Sequence, residues 1–204
     1  MSRTSTSHRI TRTEARALSS ATRQEIVDAL MSAGPCTVAR LAELLGRRPD
    51  ALYFHIRALE RVGLIKSDSQ AGTGRETAAV YRLPGPTVKL DYDTTPRKDI
   101  CRVVRNAVKL SLREFERACL NERYAGEGAD RRVWGGRITG WVSADQLAHI
   151  NRLLAELHET LRSGGPGAGR TAVSLGFLLA PSGFGERVRK PGNRSRVRTK
   201  ERGH

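Results

Sequence analysis

Between Pro49 and Gly63 the sequence sets basic and aromatic side chains around an apolar stripe. Leu52, Ile56, Leu59 and Val62 recur at spacings of 4, 3 and 3, the period of one helical face. With that stripe turned inward, Asp50, Tyr53, Phe54 and Arg57 point outward. An arginine on such a face can fork onto a guanine edge, and a tyrosine can meet a phosphate or a thymine methyl. Arg47 and Arg48 fall at the helix start, where unpaired backbone N–H groups also attract phosphate. Arg75 follows Gly72 and Gly74 in a polar, Gly-rich stretch, and Lys66 and Arg82 stand on either side of that stretch. Together these residues have the chemistry of a nucleic-acid reader: base contacts from one helix, with backbone contacts around it.

Other chemistry finds less support. Asp91, Asp93 and Asp99 lie close together in sequence but have no accompanying base or metal motif. The chain has no GxSxG, HExxH or P-loop pattern, and GGPGAG at 164–169 lacks the strand-then-helix setting of a nucleotide loop. No enzyme activity is expected. Asp145 and His149 share a helical face at i, i+4, which supplies two of the usual four zinc ligands. No metal site or cofactor is expected. Cys101 and Cys119 lie about five helical turns apart and read as small core residues. The 3 cysteines form no CxxC pair, which fits a reducing compartment.

The balance of 36 Lys+Arg against 21 Asp+Glu gives a net charge of +15. That points to a polyanionic partner, double-stranded DNA before an anionic membrane. The hydrophobic fraction, 38%, is low for a globule of this size. Some of the chain is therefore expected to lie outside the core. No apolar run approaches the roughly 18 residues of a transmembrane helix. The first residues lack the apolar stretch of a secretory signal. A cytoplasmic setting, with no membrane partner, is the expectation.

The elements that position the basic and aromatic residues follow from local signals. Residues 1–19 are expected to be a flexible basic arm. A support helix begins after Ser20 and ends at Gly34-Pro35, with Ile26, Val27, Leu30 and Met31 on one stripe. A short helix capped by Thr37 ends at Gly46, which can take a left-handed cap. Pro49 suits the first turn of the next helix. Leu64-Ile65-Lys66 and Val80–Leu83 then flank the Gly-rich stretch as a hairpin. Residues 84–87, centred on Pro84-Gly85-Pro86, read as a linker.

The second half reads as a separate α+β module. It is expected to hold a strand near 88–92, a helix over about 97–122, and strands over Arg131–Val142 and Thr171–Leu179. Between those strands, Ser143-Ala-Asp-Gln146 is a capping-box pattern. It opens a helix with Leu147, Ile150, Leu154, Leu157 and Leu161 on one seam. Trp134 and Trp141 read as core or interface residues. The 97–122 helix would be about 39 Å long, which suits packing against a partner chain. Residues 88–181 are therefore read as a dimerisation module with room for a small-molecule effector, and 182–204 as a disordered basic tail. The fold class is α+β.

Support helix, short helix, turn, second helix and hairpin form the winged helix-turn-helix order over residues 20–83. The stretches ATRQEIVDAL and TVARLAELLGRRPDALYFHIRALERVGLI resemble the arsenic-repressor-type (ArsR-type) regulators. Arg23, Ile26, Leu41-Ala42 and the run from His55-Ile56 through Leu59 to Gly63-Leu64-Ile65 carry the likeness. The resemblance implies a homodimeric DNA-binding transcriptional regulator that reads a near-palindrome. It does not imply metal sensing, since Thr37 and Ala39 stand where that family's metal box has cysteines. The competing reading is a winged-helix module that docks a protein or small molecule instead of DNA.

Overall fold

The computed structural model describes residues 8–69, 79–121, 123–124 and 126–182. The support helix, short helix and second helix form as α2 (Ala21–Ala33), α3 (Val38–Leu45) and α4 (Pro49–Arg61). Ile26, Leu41, Leu52, Ile56, Leu59 and Leu64 are fully enclosed where the three meet. Full burial of one such side chain stabilises the fold by about 1.5–3 kcal/mol.

The hairpin also forms, as β3 (Lys66–Ser69) antiparallel to β4 (Ala79–Arg82). β2 (Cys36–Thr37) joins it, pairing Cys36 with Tyr81 and Thr37 with Val80, so the sheet order is β2-β4-β3. Two residues carry no readable alternation, which is why the sequence did not mark β2. Its role is to tie the wing to the start of α3.

The flexible arm expected over 1–19 is corrected where the structure describes it. Residues 8–18 hold β1 (His8–Arg9) and α1 (Arg12–Ala17). Thr11 and Glu14 form a reciprocal capping box, satisfying two backbone donors. Ile10, Ala15, Ala17 and Leu18 are buried in the common core. β1 runs parallel to β5 (Val88–Lys89), and the His8 N–H donates to the Thr87 carbonyl at 2.8 Å. Thr87, expected in a linker, is thereby buried. The polar composition of 1–19 concealed a few well-spaced apolar residues whose partners are distant in sequence.

The long helix forms as α5 (Arg97–Cys119) and lies against α1 and α2. Gln24 donates its amide to the Val103 carbonyl at 2.9 Å, and Asn106 donates to the Ser19 carbonyl at 2.6 Å. Asp99, 1% exposed, has Arg12 and Arg16 of α1 and Arg102 of its own helix within 4 Å. Cys101 and Cys119 are exposed, not core. The buried side of α5 is instead the one holding Asp99 and Leu110.

Past α5, α6 (Ala144–Arg162) starts at the expected box, with Ser143 and Gln146 bonded reciprocally. It buries none of its residues. The strands expected over Arg131–Val142 and Thr171–Leu179 do not form. An alternating pattern becomes a strand only where another strand completes its ladder, and none of the other described segments supplies one. Trp134 and Trp141 are correspondingly exposed, and the Arg131 guanidinium sits 3.8 Å over the Trp134 ring.

Candidate nucleic-acid interface

The turn between α3 and α4 sets the geometry of the exposed helix face. The Thr37 hydroxyl accepts from the Arg40 N–H at 3.3 Å and opens α3. Gly46 closes it in a left-handed conformation, φ +60°, and the Arg47 N–H bonds back to the Ala42 carbonyl at 2.9 Å. A Cβ on Gly46 would meet nothing within 4 Å, so the backbone conformation and not space demands glycine there. Pro49 then occupies the first turn of α4.

Leu52, Ile56 and Leu59 are 0% exposed, while Tyr53 is 44% and Phe54 73% exposed. Asp50 and Arg57 are exposed beside them. The face anticipated from the 4, 3, 3 spacing is thus presented outward as a unit. Arg61, one turn beyond Arg57, is exposed on the same helix. It extends the basic face, and its i, i+4 spacing from Arg57 was readable in the sequence.

His55 sits half-buried at the core rim, its ring 5.4 Å from the Phe54 ring in an edge-on arrangement. Its Nδ1 is buried without a hydrogen-bond partner. Burial, then the nearby Arg23 and Arg47 charges, push its pKa below the ordinary value. The imidazole is therefore neutral near pH 7 and belongs to the packing.

The basic residues divide by how they are held. Arg47 reaches back to Glu25 of α2 at 2.6 Å, and Arg113 of α5 donates to the other oxygen of the same carboxylate. Arg48 lies 3.8 Å from Asp50, with both side chains mostly in water. In the wing, Lys66 is exposed opposite Arg82 across the β3–β4 ladder. Arg82 forks onto Asp68 through two nitrogens. Arg75 lies outside the described residues. Nothing in the sequence spacing marked the Arg47–Glu25–Arg113 bridge, because its members come from three elements.

Among the described residues, no three His, Cys, Asp or Glu side chains gather closely enough to hold a metal ion. None of the described helices is long and apolar enough to cross a membrane.

Residues 18–68 match a protein-family profile described as a helix-turn-helix domain. No curated protein matches the chain. Among solved structures, a protein described as RV1404 from Mycobacterium tuberculosis is 18% identical, over 72% of this chain and 81% of its own, with a TM-score of 0.29. A zinc-responsive MarR family member, ZitR of Lactococcus lactis, is 18% identical, over 78% and 82%, with a TM-score of 0.26. Disulfide-formed AbfR is 11% identical, over 74% and 78%, with a TM-score of 0.31. At such scores no structural argument follows from these pairs. The profile match and the observed helices, turn and hairpin identify a winged helix-turn-helix domain, the DNA-binding unit of transcriptional regulators.

Proposed function

We propose that the chain is a sequence-specific transcriptional regulator of the ArsR type that binds duplex DNA as a homodimer. Helix α4 enters the major groove and the wing tracks the adjacent backbone. One observation carries the reading: Tyr53, Phe54 and Arg57 stand in water on a helix whose opposite side is locked into the core. That places exposed side chains on a packed support, as base readout requires.

Arg57 is assigned a guanine edge, Tyr53 and Phe54 thymine methyl or sugar contacts, and Asp50 a cytosine amino group. Arg48, Lys66 and Arg75 are assigned to phosphates. Arg47 and Arg82 join them once released from Glu25 and Asp68. A near-palindromic site follows from two copies reading two half-sites. The protein works in the cytoplasm, where such DNA lies. With Thr37 and Ala39 in the metal-box positions, any effector acts elsewhere.

The test is a gel shift with the gene's own upstream DNA against a scrambled duplex. Each good base contact contributes about 1–3 kcal/mol, so a Tyr53→Ala/Arg57→Ala variant should lose specific binding by about two orders of magnitude or more. Undiminished operator binding by that variant would overturn the recognition-helix assignment. Equal affinity of the parent for both duplexes would favour a docking module, for which the exposed Phe54 ring would be the anchor.

A further inference from the structure

We infer that residues 131–181 form an interface completed by a second copy of this chain, through shared β-ladders and the apolar seam of α6. The inference rests on the two-copy reading proposed above and supplies its contact surface.

The first observation is backbone. Among the described residues, 132–142 and 171–181 make no backbone-to-backbone hydrogen bond. Both stretches carry strand-like alternation, yet they do not pair with each other. Both are held against the same helix. Gly135 lies against the Phe115 ring and Gly176 against Ser111, so close that a Cβ would meet those side chains at 2.7 and 2.5 Å. Ser174 is also 3.5 Å from Ser111, hydroxyl to hydroxyl. Phe115 and Ser111 are one turn apart. Two strand-patterned segments therefore cross one helix side by side, with no backbone ladder between them.

The second observation is area. Trp134, Ile138 and Trp141 are 73, 98 and 83% exposed, and Leu157, Phe177 and Leu178 are each about half or more exposed. With aromatic side chains burying about 150–250 Å² each, the region offers on the order of 1,000 Å² of apolar surface. The largest patch on an ordinary monomer is about 300–600 Å². A stable interface takes about 800 Å² from each partner.

The third observation is the kind of partner the region lacks, and a second copy supplies it. Along α6 the order is Asp145, Arg152, Glu156, Glu159, Arg162. At helical spacing none of these five falls on the side of Leu147, Ile150, Leu154, Leu157 and Leu161, so the seam is an uncharged apolar stripe that a like stripe matches. The same chain also supplies strand-patterned segments to complete the ladders. A polyanion would satisfy neither the leucines nor the backbone.

The only tryptophans, Trp134 and Trp141, are built-in reporters. Sedimentation equilibrium of the full chain should show a dimer at micromolar concentration. Tryptophan emission should shift to the red on dilution through the dissociation range, and amides of 132–142 and 171–181 should be protected from hydrogen exchange only while the dimer persists. A Trp141→Asp/Leu157→Asp variant should be monomeric while retaining binding to a single half-site duplex. A monomeric parent, a variant that remains dimeric, or a dimer whose 132–142 and 171–181 amides exchange freely would each overturn the interface. A parent that dimerises in this way but binds no DNA would overturn the proposed function and leave the interface standing.

Discussion

Glu25 carries more of the candidate site than its position in sequence implies. Its carboxylate holds Arg47, at the entrance to α4, and Arg113, on α5. A guanidinium engaged at 2.6 Å by a partner carboxylate must leave it before serving a phosphate. Substituting Arg47→Ala should therefore cost less DNA affinity than Arg57→Ala. Glu25→Gln should free Arg47, tighten non-specific binding several-fold, and steepen the log–log salt slope by about 0.9 for the added phosphate contact. Titration of DNA binding at several salt concentrations checks both, and a Glu25→Gln slope equal to the parent's would show that Arg47 does not reach DNA. The outward group Asp50, Tyr53, Phe54 and Arg57 was legible from periodicity alone, since a helix with one apolar stripe has only one way to face a core. The pairing of Arg47 and Arg82 with carboxylates was not, since Glu25 lies 22 residues from Arg47 and Asp68 lies 14 from Arg82.

Among the elements, α1 shows how little sequence a helix requires once a core awaits it. It has 6 residues, far too few to hold alone. Its capping box and the burial of Ala15, Ala17 and Leu18 keep it in place. Through Arg12 and Arg16 it also faces the enclosed Asp99 carboxylate at the start of α5. Replacing Thr11→Ala removes the side-chain acceptor for the Glu14 N–H and should cost about 1 kcal/mol. Urea unfolding should show a lower midpoint with an unchanged slope. A midpoint equal to the parent's would mean that α1 contributes nothing to the cooperative unit.

At the scale of the whole molecule, carboxylates of α2 and α5 come near one another where the DNA-binding unit meets α5. Asp28 of α2 is exposed. Even so, the protein packed around its carboxyl, and then the Glu114 and Glu25 charges, raise its pKa from the usual 3.8 to about 6. The folded chain thus binds this proton more tightly than the unfolded chain does. The group's contribution to stability grows as pH falls from about 6 toward 3.8 and is lost above that window. Asp28→Asn removes the charge, and should stabilise the fold at pH 7 by about 1–2 kcal/mol after allowance for solvent screening. The gain over the parent should shrink through this window and be mostly gone near pH 4, where the folded parent's carboxyl is protonated and the unfolded chain's is close to its midpoint. Thermal unfolding of both proteins from pH 4 to 8 checks this, and a gain that does not change with pH would point to a cause other than titration. The net charge of +15 reads differently at this scale too. Residues 183–204 alone hold eight Lys and Arg against two Glu, so a large share of the total lies beyond the described residues.

By itself the sequence determined the winged helix-turn-helix. Short-range signals suffice for it: Thr37 at a cap, Gly46 at a left-handed turn, Pro49 in a first turn, and apolar residues at helical spacing. Each acts within about one turn of the chain and each agrees with the others. Tertiary structure alone decided what those elements lean on. It brought residues 8–18 into the core, joined β2 to the wing, and laid α5 against α2. It also left 131–142 and 171–179 without ladders. Strand pairing and burial are contacts between segments distant in sequence, or between chains. A pattern of alternation states that a partner is needed, but not which segment provides it.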